Sequence, residues 1–306
     1  MRPTDRTGLA IFLSLVALTL FDAMGLVIKH LSGTYTAAEL SAWRNLFGII
    51  PGVVALGLSR QWHKDGRRLR IRQWKLALAR GGIVTFAQLF FYIALGQMAF
   101  ATASTITYAN ALFMTALAVP LLGEKVGWVR WGAVLIGFVG VVLVMQPGSD
   151  TFTPIALLPL GAAAFYALVG VTARMMDDDV PSPLVNLYSS VAALVGAFLI
   201  AMSFGGFTPI QSATDLAWIV AMGGFGGTAV LFLVVSYRMT EQSNLAPFSY
   251  FGIPLAFVMG WLFFDEAPWD ALFPGALLIA AGGLLIIWRE RQRGRVSATR
   301  PTGADV

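Results

Sequence analysis

"TASTITYANALF", residues 102–113, carries four aliphatic hydroxyls, a tyrosine and an asparagine inside a long apolar stretch with no charge and no turn signal. A helix surrounded by lipid would be penalised for exposing such groups, because the hydrocarbon offers them no hydrogen-bond partner. Either the segment does not sit at membrane depth, or its polar face is turned toward protein or a cavity. The rest of the chain decides between these.

Of the 306 residues, 57% are hydrophobic and only 12% are charged. With a mean hydropathy of +0.74, this composition excludes an ordinary soluble protein and points to an all-α integral membrane protein crossing the bilayer many times. There is no cysteine, which rules out a disulfide framework, a thiolate nucleophile and a cysteine-metal site. Apolar stretches of about 20 residues suffice to span. Ten are expected, near residues 9–31, 38–58, 74–97, 101–122, 127–145, 154–174, 184–204, 214–237, 243–264 and 270–288. The first is too long for a signal-peptide core and lacks a small-residue cleavage pattern. The weakest boundary lies at 96–100, between the third and fourth spans.

Lys and Arg sort onto alternate connections. One side collects Arg2, Arg6, the seven from Arg60 to Lys75, Lys125, Arg130, Arg174, Arg238 and the tail from Arg289 to Arg300; Lys29 is the main exception on the other. The positive-inside rule then puts both termini in the cytoplasm of a bacterial-type inner (plasma) membrane. The net charge of +5 is thereby assigned to orientation, and no nucleic-acid partner is called for. The tail past Trp288 is polar and expected to be disordered.

An internal repeat follows from sliding the sequence on itself. An offset of 142 aligns residues 74–146 with 216–288 without a gap, placing Gly81 and Gly82 on Gly223 and Gly224, Tyr108 on Tyr250, Glu124 on Glu266 and Gly140 on Gly282. For the first two spans an offset of 145 fits better, with Gly25 on Gly170 and Lys29 on Arg174. Five spans per half is an odd number, so the second half is inverted relative to the first. The expected organisation is a cytoplasmic N-terminus (1–8), a first five-helix repeat (9–146), a second inverted repeat (147–288) and a cytoplasmic tail (289–306).

Together with "AVPLLGEKV" (118–126) and "GWLFFDEAP" (260–268), where an acidic residue closes the fourth and ninth spans, these features resemble the drug/metabolite transporter superfamily with two EamA-type domains. Within it the chain is similar to YddG-type amino-acid exporters, over roughly residues 9–289. The resemblance implies a cavity formed mainly by spans 1, 3, 4, 6, 8 and 9, with spans 5 and 10 more peripheral.

Polar residues inside the spans are the candidate substrate contacts. On a helical wheel, Ser104, Tyr108 and Thr115 share one narrow sector of the fourth span. Its inverted copy "NLAPFSYFGIPL" (244–255) holds Ser249 and Tyr250 between Pro247 and Pro254, prolines that suggest a hinge. Thr85, Gln88 and Tyr92 recur at i, i+3 and i+7 in the third span and could meet the fourth. Asp22 is the sharpest single residue, since a mid-helix carboxylate costs about 2.5–3.5 kcal/mol on insertion scales. Lys29, Arg44 and Arg80 are its possible ion partners; a substrate ammonium or a coupling proton is the functional alternative. Tyr166 and the phenylalanines of span 3 offer aromatic surface, and Trp43, Trp218, Trp261 and Trp269 read as interface anchors.

These features predict a secondary transporter exporting amino acids, aromatic ones among them, or related small metabolites by alternating access. Export of drugs or other metabolites is the alternative within the same fold. A membrane-embedded transferase is the rival class. It is disfavoured because the chain has only His30 and His63, no HExxH or GxSxG, and no metal-ligand spacing, "DDD" at 177–179 reading as a solvated turn. No Walker motif is present, and no cofactor or metal is called for. The partners expected are a small-molecule substrate and the bilayer; the sequence leaves the oligomeric state open, monomer included.

Overall fold

A computed structural model of the chain describes residues 7–64, 66, 69–123, 127–146, 153–176, 180, 182–239, 245 and 248–298. These residues are helical throughout, with no strand among them. The helices are α1 (Thr7–Leu31), α2 (Ala37–Gly57), short α3 (Arg60–Lys64), α4 (Trp74–Gln97), α5 (Phe100–Thr107), α6 (Asn110–Leu122) and α7 (Trp128–Met145). A 3₁₀ turn at Pro154–Ala156 leads into α8 (Leu157–Ala173), followed by α9 (Ser182–Ser203), α10 (Ala213–Met239), α11 (Gly252–Phe264), short α12 (Trp269–Leu272) and α13 (Gly275–Ala298). Among the described residues, seven helical stretches are long and apolar enough to cross a membrane, α5 and α6 counting as one; three shorter apolar helices are Trp131–Met145, Gly252–Phe264 and Gly275–Ile286. Large apolar side chains such as Phe12, Ile50, Leu135, Phe263 and Leu277 face outward, as a surface solvated by lipid requires.

Packing pairs helices far apart in sequence. α1 lies against α10 and α8 against α4; α2 packs on α10 and α9 on α4; α2 and α9 pack on each other, as do α7 and α13. Lipid is as apolar as the helices themselves, so close van der Waals fit through small residues has to drive these contacts. A Cβ added at Gly81 would run into Ala192 of α9, and one at Gly223 into Phe47 of α2. These two contacts are related by the offsets of 142 and 145 already visible in the sequence. At the α7–α13 crossing, Gly140 abuts Gly275 and Gly282 abuts Gly137.

The stretch 102–113 differs from the unbroken helix its lack of turn residues suggests. α5 stops at Thr107, and α6 starts at Asn110. Between them the Tyr108 N–H is shared by the carbonyls of Ser104 and Thr105, both at 3.2 Å, and the Ala109 N–H reaches Ile106 at 3.0 Å. This is a local 3₁₀ tightening. Thr107 Oγ1 donates back to the Ala103 carbonyl at 2.9 Å, the kind of hydroxyl-to-backbone bond that competes with the ladder and bends helices. A second interruption falls at Tyr250 and Phe251, just before α11, with Ile253 N–H bonding the Tyr250 carbonyl at 3.1 Å. Both breaks sit on the two tyrosines that the offset of 142 aligns.

Of the two prolines near the second break, only Pro254 falls among the described residues. Pro254 is the third residue of α11 and is exposed. In the first helical turn its missing N–H removes no intrahelical bond, so it marks a helix start rather than a mid-span hinge. Pro247, Glu124 and residues 177–179 lie outside the described residues.

Candidate functional site

The helices α1, α2, α4, α5 and α8 converge on a polar junction built from two sets of side chains. On α2, Ser41, Arg44 and Asn45 face α4. Gln88 Oε1 accepts from Ser41 Oγ at 2.7 Å and from Asn45 Nδ2 at 2.8 Å. Asn45 Nδ2 also donates to the Ser41 carbonyl at 2.8 Å. Asn45 Oδ1 is thereby turned toward Arg44, whose Nη1 donates to it at 3.0 Å. The Arg44 guanidinium is within electrostatic reach of Tyr92 on α4 and Tyr166 on α8. Its Nε is buried with no partner, as are Tyr92 OH and Trp43 Nε1.

The second set centres on Asp22, near the C-terminal third of α1. Its side chain is buried, Oδ2 has no hydrogen-bond partner, and among the described residues no cation lies within salt-bridge distance. It is within electrostatic reach of Tyr108, at the α5–α6 break. Ser104 and Thr105 on α5 are buried, and Thr105 Oγ1 is likewise without a partner. A polar group withdrawn from water and left unpaired costs on the order of 1–3 kcal/mol, more if charged. Concentrating such groups at one helix junction is the pattern expected where a polar ligand completes the bonding.

Several expected contacts are placed elsewhere. Gln88 has its amide committed to α2. Thr85 Oγ1 donates to the Gly81 carbonyl at 3.0 Å and sits against Gly196 on α9, so Thr85 and Gln88 meet α9 and α2, while Tyr92 is in one buried cluster with Phe100 and Ala103 of the fourth span. Thr115 bonds its own backbone at Ala111, 3.2 Å away. Ser249 is half-buried at the second break. Tyr108 and Tyr250 do not look at each other across a space: their ring centroids are 6.4 Å apart. The Tyr108 hydroxyl is seated where Gly252 lacks a side chain, and that of Tyr250 is seated on Gly283 of α13, directing it toward the α7–α13 pair. Trp43 is half-buried, stacking on Phe47 and meeting Phe207 of the loop after α9 edge-on.

Lys29 does not pair with Asp22. Its ammonium meets Glu266 Oε1 at 2.7 Å and the Met98 carbonyl at 2.7 Å. The other carboxylate oxygen, Oε2, accepts the Phe100 N–H at 2.9 Å, capping the N-terminus of α5 where helix-dipole and orphan-donor effects favour an anion. One ion pair thus ties the ends of α1, α4 and α11 to the start of α5. It also explains why the helix restarts at Phe100 after the extended pair Met98–Ala99. Arg80 likewise finds neutral partners, donating to the Val169 carbonyl at 2.7 Å and Thr172 Oγ1 at 3.3 Å.

Arg44 and Glu266 were visible as charges within or beside spans. Neither their partners nor the Ser41–Asn45–Gln88 relay follows from one-dimensional spacing. Among the described residues no cluster of His, Asp and Glu could hold a metal ion.

The chain belongs to the EamA-like transporter family, which matches residues 8–146 and 153–288. It is similar to the S-adenosylmethionine uptake transporter of Rickettsia prowazekii, at 25% identity over 92% of each chain. The riboflavin transporter of Rhizobium johnstonii is 31% identical over 58% of each chain. The human solute carrier family 35 member G1 is 25% identical over 90% of this chain and 78% of its own. A solved crystal structure shares the fold with a TM-score of 0.64 at 20% identity, covering 93% of this chain and 98% of that one.

Proposed function

We propose that this protein is a secondary transporter that exports amino acids, aromatic ones among them, or related small metabolites across a bacterial inner membrane by alternating access. The observation that carries the reading is that the buried carboxylate of Asp22 and the half-buried guanidinium of Arg44, with its buried Nε, have no ion partner among the described residues. A purely packed bundle gains nothing from burying them, whereas an ammonium and a carboxylate on one substrate would satisfy both.

The build is that of two inverted five-helix repeats, 9–146 and 147–288, with both termini cytoplasmic. Support comes from the helix pairings that recur at the sequence offsets, from the matched breaks at Tyr108 and Tyr250, and from the distribution of Lys and Arg. A second reading concerns direction and cargo. The rickettsial relatives are named for uptake of S-adenosylmethionine, a molecule that itself carries an amino-acid head, and others for riboflavin. Uptake of a larger ring-bearing metabolite with such a head would use the same junction.

Purified protein in liposomes, offered a panel of labelled amino acids, S-adenosylmethionine and riboflavin from either side, tests both. Flux no greater than in empty vesicles for every compound defeats the transporter reading; flux of riboflavin alone defeats the amino-acid one.

A further inference from the structure

We infer that Arg44 is the residue that reads the substrate's carboxylate, and that the Ser41–Gln88–Asn45 relay exists to aim it. The inference rests on the transporter reading above and adds the chemical end of the substrate that Arg44 receives.

A guanidinium carries five N–H donors in a fixed planar fork that fits a carboxylate with two parallel bonds. Among the described residues a single donor atom, Nη1, is engaged, and its partner is a neutral amide oxygen at 3.0 Å. No carboxylate lies within ion-pair distance among the described residues. Nε is buried and without a partner, as is the hydroxyl of Tyr92, which lies within electrostatic reach of the guanidinium. Donors without acceptors call for an anion.

The surroundings look built for this purpose. A side chain at Gly226 of α10 would come within 2.9 Å of Arg44 Nε and 3.2 Å of Nη2, so the absence of a Cβ there makes room for the fork. Gln88 spends its carbonyl on Ser41 and Asn45, and this fixes the Asn45 amide with its oxygen toward Arg44 and its nitrogen away. Were that amide free to turn, its NH₂ would face the guanidinium instead. Met24, two residues beyond Asp22 on α1, abuts the same Gly226. Asp22 lies about 200° round α1 from Met24, on the side of Tyr108, so the carboxylate and the guanidinium are presented from different faces. Arg44 takes the anionic end of the substrate, with the Tyr92 and Tyr166 rings beside it. Gln88 is on this account a positioning residue, acting through Asn45.

The test measures flux of phenylalanine, phenylalanine amide and phenethylamine side by side in liposomes, with wild type, Arg44→Gln, Arg44→Lys, Gln88→Leu and Gly226→Ala, each confirmed monodisperse. Wild type is expected to prefer the carboxylate-bearing compound by about tenfold or more, as a site built to pair a group rejects the analogue lacking it. Arg44→Gln should erase that preference, and Arg44→Lys should keep part of it through charge without the fork. Gln88→Leu and Gly226→Ala should lower the preference without abolishing flux of the amine, a change that mere loss of folded protein would not produce. A wild type that carries the three compounds without regard to the carboxylate, or an Arg44→Gln protein that keeps the preference, overturns the assignment and leaves the transporter reading standing. A wild type that moves none of the three, yet carries riboflavin, overturns it together with the amino-acid reading.

Discussion

The two helices of the fourth apolar segment, α5 and α6, differ in composition and in surroundings: half of α5 is Ser or Thr, whereas α6 is apolar but for Asn110 and Thr115. Every residue from Phe100 to Ile106 in α5 is buried, whereas in α6 only Leu112 and Ala118 are. α5 packs against α1, α4, α7, α8, α11 and α12 and begins at a carboxylate cap; among the described residues α6 packs chiefly against α8, with α7 and α13 beside it. The break at Tyr108 thus divides a sealed, buried helix from a less buried one. The seal is made by Phe100 and the apolar cluster of Ile28, Leu31, Tyr35 and Leu95, with the Lys29–Glu266 pair bolted across it. An alternating-access carrier has to open this end in turn.

Preventing that opening is the strongest way to exploit the contrast. The natural chain has no cysteine, so joining Lys29→Cys to Glu266→Cys with a short thiol cross-linker is selective. Flux is expected to fall to the level of empty vesicles and to return when a cleavable linker is cut; undiminished transport by the cross-linked protein would show that this end never parts.

Asp22→Asn comes next. The substitution keeps shape and removes charge, and transport of ammonium-bearing substrates should drop by about tenfold or more, while the elution profile of the detergent-solubilised protein stays unchanged. Equal flux in the two proteins would return Asp22 to a purely structural role.

Glu266→Gln attacks the seal itself. It unpairs Lys29 and weakens the α5 cap, which together should cost about 1–3 kcal/mol, read as a lowered unfolding midpoint. Exchanging the charges, Lys29→Glu with Glu266→Lys, should recover little of this, because a lysine cannot accept the Phe100 N–H. Full recovery would mean that the ion pair alone matters.

At the break, Gly252→Ala drives a methyl into the Tyr108 hydroxyl and should destabilise by about 1–3 kcal/mol. Tyr250→Phe is the mildest change. Its hydroxyl is buried without a partner among the described residues, so its removal should not lower the unfolding midpoint, whereas Tyr108→Ala should lower flux. A reversed order of the two tyrosines would relocate the site toward the α7–α13 pair.

Much of the outline was legible because its signals are local. A run of about 20 apolar residues is long enough to cross a bilayer whatever its neighbours do, and Gly81, Gly223, Tyr108 and Tyr250 carry an offset that survives into the observed contacts. The break within 102–113 was not legible, since it uses neither glycine nor proline and arises from hydroxyls bonding the backbone. The spacing of Thr85, Gln88 and Tyr92 suggests one polar face of α4, but periodicity states which residues can share a face and not which helix each one meets: Thr85 turns to α9 and Gln88 to α2.

The sequence by itself determined the helical, membrane-spanning class, the family and the set of polar residues that lipid would not accept. Only the tertiary structure decided how those residues divide: Thr85, Gln88, Thr115 and Lys29 are satisfied by protein, and Asp22, Arg44, Tyr92 and Thr105 keep atoms that protein leaves unsatisfied. The physical reason is range. Hydrophobicity and helical period act within one segment, while a hydrogen bond such as Phe100 to Glu266 depends on where two distant helices end and how closely their small residues let them approach.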